Sequence, residues 1–201
     1  MIALVDYGVG NLQSVEKALV AVGGRVQRFT HPRDIDQAGA VVVPGVGHFG
    51  ATAALGAEWR DGLLRFVDDG GALLGICLGM QWLFEGSDEA PGLAGLSLFS
   101  GRCRRLQGAR VPHVGWNSLE PAGPSSLLDG IAPGSQVYFT HSFAPPVGAG
   151  CVAATCHGLR FASIVERGRI AGAQFHPEKS GETGLRFLRN FLANTRRPEA
   201  P

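Results

Sequence analysis

Apolar side chains fall along this chain in short blocks whose spacing changes from one block to the next. Residues 2–6 carry the run Ile2-Ala3-Leu4-Val5 before Asp6, the pattern of a strand buried on both faces. Over residues 11–22 the apolar positions spread to Leu12, Val15, Leu19 and Val22, a helical stripe that Gly23 and Gly24 end. Strands are predicted at 25–29 and 40–43, the latter closed by Pro44-Gly45. A helix striped by Leu55, Trp59, Leu63 and Phe66 stops at Gly70-Gly71, and residues 72–77 form a fourth strand that runs straight into a turn. Strand alternating with helix implies a parallel sheet with right-handed crossovers.

The pattern changes after that. Six strand-like runs at 96–99, 111–119, 136–143, 151–155, 161–167 and 170–175 are punctuated by Gly, Pro and Ser, which predicts an antiparallel or mixed extension of the sheet. A last helix is expected at 182–194, with Leu185, Leu188 and Leu192 as its stripe. The fold class is therefore α/β, an open and mostly parallel central sheet flanked by helices, with that extension at one side. Residues 1–195 are read as one domain without repeat or linker, and the polar, Pro-containing residues 196–201 as a disordered tail.

Composition narrows the function without naming it. Hydrophobic residues make up 45% and charged residues 17% of 201, as in an ordinary globular protein. A net charge of +1 gives no basic surface for nucleic acid and no polybasic membrane anchor. No run reaches the roughly 20 apolar residues that span a bilayer, and the N-terminal run is too short for a signal peptide. Cys77, Cys103, Cys151 and Cys156 show no CxxC pair and read as free thiols in a reducing cytoplasm. Cys151, Cys156 and His157 lack a matching distant pair, so no metal site is expected. Glycine stands out at 30 residues, about twice the usual share, which predicts many tight turns.

Two segments carry chemistry. Gly75-Ile76-Cys77-Leu78-Gly79 has the form G-x-nucleophile-x-G and lies between a buried strand and a helix. At the tip of such a turn the nucleophile takes a strained backbone angle, and side chains two positions away would collide, so both are glycine. The helix start favours a thiolate, and the Leu78 N–H faces the place where an oxyanion would form. The competing reading of Cys77 is a buried structural thiol. In Phe175-His176-Pro177-Glu178-Lys179-Ser180, His176 and Glu178 stand two apart and share a side in extended chain. Glu178 can then hold the imidazole Nδ1–H and leave Nε2 for the Cys77 proton. Alone, Glu178 could equally be an exposed acid at a helix start.

The elbow Gly75-Ile76-Cys77-Leu78-Gly79-Met80-Gln81 and the 175–180 segment together resemble the class I glutamine amidotransferases. Asp6-Tyr7-Gly8-Val9-Gly10-Asn11, Pro44-Gly45-Val46-Gly47-His48-Phe49 and Pro112-His113-Val114-Gly115-Trp116-Asn117 narrow the resemblance to the glutaminase subunits of imidazole glycerol phosphate synthases, in histidine biosynthesis. It covers the chain apart from its short tail, with no departure at the three positions Cys77, His176 and Glu178. The resemblance implies the class I glutamine amidotransferase fold and a Cys77–His176–Glu178 triad that hydrolyses glutamine through a thioester. It implies an oxyanion hole from Leu78 with Val46 or Gly47, and glutamine held by Gln81 and the backbone of Ser142 and Phe143. It further implies docking on a (βα)8-barrel cyclase subunit through Asn11, Trp116, Tyr138 and Lys179, with no cofactor. Read without it, Ser142 is a turn residue, Trp116 a core aromatic, and 44–47 an ordinary strand-exit loop. Three other functions compete: a glutaminase of another synthase, a non-catalytic scaffold, and a cysteine peptidase or chaperone of related topology.

Overall fold

The computed structural model describes residues 1–195; the tail expected to be disordered, 196–201, lies outside them. The first half alternates as its pattern dictates: β1 (Ile2–Val5), α1 (Leu12–Ala21), β2 (Val26–Phe29), β3 (Ala40–Val43), α2 (Ala57–Asp68), β4 (Ala72–Ile76) and α3 (Leu78–Trp82). Then come the short strands β5 (Gly86–Ser87) and β6 (Arg102–Arg105), followed by β7 (His113–Ser118), β8 (Glu120–Pro121), β9 (Gln136–His141), β10 (Phe143–Ala144), β11 (Cys151–His157), β12 (Leu159–Arg167) and β13 (Ile170–Ala173). The helix α4 (Gly181–Thr195) closes the described chain.

The central sheet has the order β2-β1-β3-β4-β13-β12-β11-β8. Its pairs from β2 to β13 are parallel, and those from β13 outward are antiparallel. The period of two sorts each strand between two cores. Ile2, Leu4, Val42 and Leu74 face one layer with Leu19 of α1 and Phe187 and Leu188 of α4. Ala3, Val5, Val41 and Leu73 face the other, with Trp59, Leu63 and Phe66 of α2 and Met80 of α3. Burial on both faces explains why these strands read as unbroken apolar runs. Asn11 caps α1, its side chain accepting the Ser14 N–H at 3.4 Å.

Three expectations need correction. Residues 96–99 form no strand. Ser97 takes φ +58°, and the N–H groups of Leu96, Ser97 and Leu98 donate to the Trp82, Phe84 and Leu83 carbonyls. The run is apolar because it covers the end of α3, so its amides meet helix carbonyls and not a ladder. Residues 136–143 are interrupted at Ser142, which separates β9 from β10. The extension is also smaller than predicted: β8, β11 and β12 extend the central sheet, while β7 and β9 form a separate two-stranded sheet and β5, β6 and β10 another.

α3 and β3 pack at backbone distance. A Cβ on Gly79 would run into the Val43 carbonyl oxygen, a backbone atom with no freedom to yield. Gly79→Ala is expected to lower the unfolding free energy by about 3 kcal/mol. Gly92→Ala, where a Cβ meets nothing within 4 Å, is expected to change it by less than about 0.5 kcal/mol. Urea unfolding of both variants checks the pair.

Candidate active site

β4 and β13 lie side by side and parallel, with Ile76 opposite Ala173. Their C-terminal ends therefore deliver Cys77 and the segment leading to His176 to one place. The Cys77 N–H donates to the Ala173 carbonyl at 2.7 Å, and Cys77 takes φ +52° and ψ −106° before α3 begins at Leu78. Cys77 and Ser97 are the only non-glycine residues with positive φ among the described residues. That strain at a strand-to-helix tip is what the G-x-C-x-G spacing predicts. Both flanking glycines are required: a Cβ on Gly75 would meet Gly79 backbone at 2.6 Å, and Gly79 touches Val43.

Past β13 the chain turns through Pro177–Lys179 as a short 3₁₀ helix. His176 Nδ1 lies 2.8 Å from Glu178 Oε1, with both side chains almost wholly buried. A carboxylate only accepts, so Nδ1 carries the proton. The turn is fastened to β9: His176 N–H donates to the Tyr138 carbonyl at 2.9 Å, Tyr138 N–H to Ser180 Oγ at 2.9 Å, and Ser180 Oγ–H to the His176 carbonyl at 2.7 Å. His176 Nε2 has no partner in a protein hydrogen bond and is directed to Cys77. Burial lowers the His176 pKa, but the Cys77 sulphur and the Glu178 carboxylate outweigh it and raise it to about 10.

A cavity of about 250 Å³ opens over the thiol, walled in part by Val46, Gly47, Gln81, Glu89, Ser142 and Phe143. Its size suits a ligand smaller than the drug-like molecules that fill roughly 300–1,000 Å³. Gln81 Nε2 donates to the Phe143 carbonyl at 2.8 Å and to Gln174 Oε1 at 3.1 Å, which commits both amide hydrogens and leaves Oε1 for a ligand. The Leu78 N–H is not free: it donates to the Gly45 carbonyl at 3.3 Å. Gly47 has φ +89° with open space around a would-be Cβ. Thus Cys77, Leu78, Gln81, Val46, Gly47, Ser142 and Phe143 line one cavity, with His176 and Glu178 behind the thiol.

The residues expected at a docking face lie outside that cavity. Trp116 is 56% exposed, which removes the core reading of that residue. It meets Tyr138 edge-on at 6.0 Å, and Lys179 Nζ stands 5.8 Å above the Tyr138 ring. Asn11 begins α1, which packs on the Pro177–Lys179 turn. Sequence reasoning missed Glu89, whose Oε2 accepts the Phe49 N–H at 2.7 Å, and Gln174, which is wholly buried. Glu89 sits in a turn without periodicity and gave no signal. Gln174 did: it is a polar residue in the otherwise apolar run 170–175, two before His176, and its Nε2 lies 3.7 Å from the Cys77 sulphur. Among the described residues no three His, Cys, Asp or Glu side chains gather closely enough to hold a metal ion.

The raised His176 pKa makes a directional prediction. The folded value of about 10 lies above that of a free histidine, so its contribution to stability is complete below pH ~6.5 and is lost as pH rises through 10. In Cys77→Ala two of the groups holding the proton become one, and the His176 titration should move to lower pH. Nitrogen-15 NMR of the imidazole in both proteins measures the shift; an unmoved titration would mean that the sulphur does not act on His176.

Comparison with known proteins identifies the family. The model of the family described as glutamine amidotransferase class-I matches residues 3–195. The imidazole glycerol phosphate synthase subunit HisH of Thermococcus kodakarensis is 46% identical over 95% of this chain and 98% of its own. The protein of the same name from Deinococcus radiodurans is 44% identical over 94% and 92%. In fold, the chain resembles a crystal structure of a glutamine amidotransferase (TM-score 0.77, 20% identity, covering 97% and 99% of the two chains). It is equally similar to PurLQS from Thermotoga maritima (TM-score 0.77, 17% identity, 96% and 97%). The chain belongs to the class I glutamine amidotransferases, in the branch of the imidazole glycerol phosphate synthase subunits HisH.

Proposed function

We propose that Cys77, His176 and Glu178 hydrolyse glutamine and pass the ammonia to a (βα)8-barrel cyclase subunit of imidazole glycerol phosphate synthase. The observation that carries this reading is the strained Cys77 facing a buried, Glu178-held imidazole at the floor of a small polar cavity. In the first half of the reaction the Cys77 sulphur attacks the side-chain amide carbon of glutamine, and the carbonyl becomes an oxyanion. His176 Nε2 protonates the amide nitrogen as it leaves, so ammonia departs and a thioester remains. The same nitrogen then takes a proton from water, whose oxygen attacks the thioester and releases glutamate. Glu178 keeps Nδ1 protonated through both halves. The glutamine side chain reaches the thiol past Gln81 Oε1 and the backbone at Ser142 and Phe143, and the Glu89 carboxylate suits the α-ammonium.

Rotation of the peptide between Gly45 and Val46 supplies the oxyanion hole in this reading. The Leu78 N–H is held by the Gly45 carbonyl. Turning that peptide frees the Leu78 donor and swings the Val46 N–H toward the site, so two donors arrive in one movement. Without them a resting enzyme is slow, since one donor is worth about 10²–10³ in rate. The cyclase side docks on the face formed by Asn11, Trp116, Tyr138 and Lys179, where Lys179 adjoins Glu178 in the chain and ties docking to the triad. In this reading the reaction runs in the cytoplasm, and 1–195 acts as one domain.

Glutamate release is expected to be low for the chain alone and to rise at least about 100-fold with the cyclase subunit and its nucleotide ligand. Cys77→Ala should abolish it. Strong release that ignores the partner, or none under any loading, would overturn the reading. Gly47→Ala isolates the loop, because the added methyl meets no atom but the φ of +89° disfavours it. Its stimulated rate should fall about 10-fold or more, and full stimulation would rule out the peptide rotation.

A further inference from the structure

From the wall of the cavity, which His141 helps to line, runs a set of buried polar side chains that the triad does not use: His113, His141 and Gln174 are 3%, 7% and 0% exposed. His141 Nδ1 lies 3.0 Å from the Phe143 carbonyl, which only accepts, so Nδ1 is protonated and Nε2 is bare. Bare Nε2 stands 3.1 Å from His113 Nδ1, which must therefore be the donor. That leaves His113 Nε2 as an acceptor, and Asn117 Nδ2 meets it at 3.3 Å. The Asn117 amide cannot be reversed, because its Oδ1 accepts the Ser118 N–H at 2.8 Å and its Nδ2 also donates to the Cys156 carbonyl at 3.0 Å. Each assignment forces the next. Beyond Phe143 the links continue: Gln81 Nε2 donates to that same carbonyl and to Gln174 Oε1, and Gln174 Nε2 reaches the Cys77 sulphur at 3.7 Å.

We infer that His113 and His141 are positioning residues in a hydrogen-bond chain of fixed tautomers, whose donors run from Asn117 through both rings to the Phe143 carbonyl, where Gln81 also donates and links on through Gln174 to Cys77. The chain fixes the Phe143 carbonyl and the Gln81 amide against glutamine, an inference that rests on the glutaminase reading above. Its outer end lies beside the exposed Trp116 on β7, and its inner end at the thiol. Seating a partner on the β7–β9 sheet therefore bears on the substrate pocket through side chains that touch neither partner nor substrate at His113. Both rings must be neutral for the scheme to hold. Burial, with His157 adding to it, lowers the His113 pKa to about 4, and burial lowers that of His141 to about 3.

Two measurements test the chain. In the complex with the cyclase subunit and its nucleotide ligand, His113→Phe keeps a ring that can stack on Phe139 and His157 but loses both hydrogen bonds. Its glutamine KM should rise about 10-fold with kcat within about 2-fold. His113→Gln, which can donate to His141 and accept from Asn117, should restore KM to within about 2-fold of the parent. A residue that only packs the core would lower the melting temperature in both variants and leave KM alone, and an unchanged KM in His113→Phe overturns the inference. Nitrogen-15 shifts of the chain by itself at pH 7 give the second reading: Nδ1–H on both His113 and His141 is expected, and a proton on Nε2 of either ring overturns it. That measurement needs no activity, so it separates failure of the chain from failure of the glutaminase reading, which an inactive parent complex would show.

Discussion

The parallel pairing of β4 with β13 decides where everything else in the site must go. Two parallel neighbours end at the same edge of a sheet, and ligands of open α/β sheets gather there. Residues about a hundred positions apart in the sequence thereby become neighbours without any long side chain reaching across. The Cys77 N–H to Ala173 carbonyl bond, at 2.7 Å, continues the ladder one residue beyond the last strand residue of β4. The nucleophile is thus still tied to the sheet while its backbone departs from it. The glycines follow from this constraint. To turn from strand to helix in one residue beside β3, α3 must approach the sheet at backbone distance, and only Gly75 and Gly79 allow it.

A second consequence is electrostatic. The His176–Glu178 pair is almost fully removed from water, and burying two ionisable groups costs more than an exposed pair would. The bond between them offsets part of that cost, yet Glu178 Oε2 and His176 Nε2 remain without hydrogen-bond partners. Buried polar atoms are nearly always paired, so the exceptions mark places held for another purpose. Here the unpaired nitrogen is the one that a proton must leave and enter. The fold holds it in place by fastening the turn to β9 through Ser180, and not by filling its valence.

The local chemistry of the site was legible in the sequence because it depends on neighbours in the chain. Gly-x-Cys-x-Gly specifies a backbone angle, and Cys77 takes it; His176 and Glu178 do meet, but across the 3₁₀ turn Pro177–Lys179 and not along the extended chain that the spacing suggested. The parallel core strands were legible for the same reason, since burial on both faces leaves no polar position to read. What was not legible depends on contacts between distant segments. Residues 96–99 look like a strand because they are apolar, but their partners are the carbonyls at the end of α3. The separation of β7 and β9 from the central sheet leaves no periodicity signal, because an alternating strand reads alike in either sheet. Glu89 reaches the cavity only because the turn after α3 brings it beside Phe49. Gln174 was legible and overlooked: it is the polar residue in the apolar run 170–175, and it lies just past the end of β13.

The two glycines of the 45–47 loop are not interchangeable, and the difference bears on how such a loop can move. A Cβ on Gly45 would collide with the Tyr7 hydroxyl and lie 2.8 Å from Leu78 Cβ, whereas one on Gly47 would meet nothing. Gly45 therefore has no room for a side chain beside Tyr7 and the start of α3. A rotation of the peptide plane between residues 45 and 46 moves only the oxygen and the N–H, and leaves both Cα atoms close to their places. Gly47, in its left-handed and uncrowded setting, is the residue that can take up the compensating change in the proposed rotation. The carbonyl now held by Leu78 is bound at 3.3 Å, longer than the usual 2.9–3.0 Å of an amide hydrogen bond. In the proposed rotation this is the bond that breaks, and Leu78, whose N–H it holds, lines the cavity over Cys77. On the proposed reading, a loop that rests in one state without being locked there lets the activity of the site be set by something bound elsewhere.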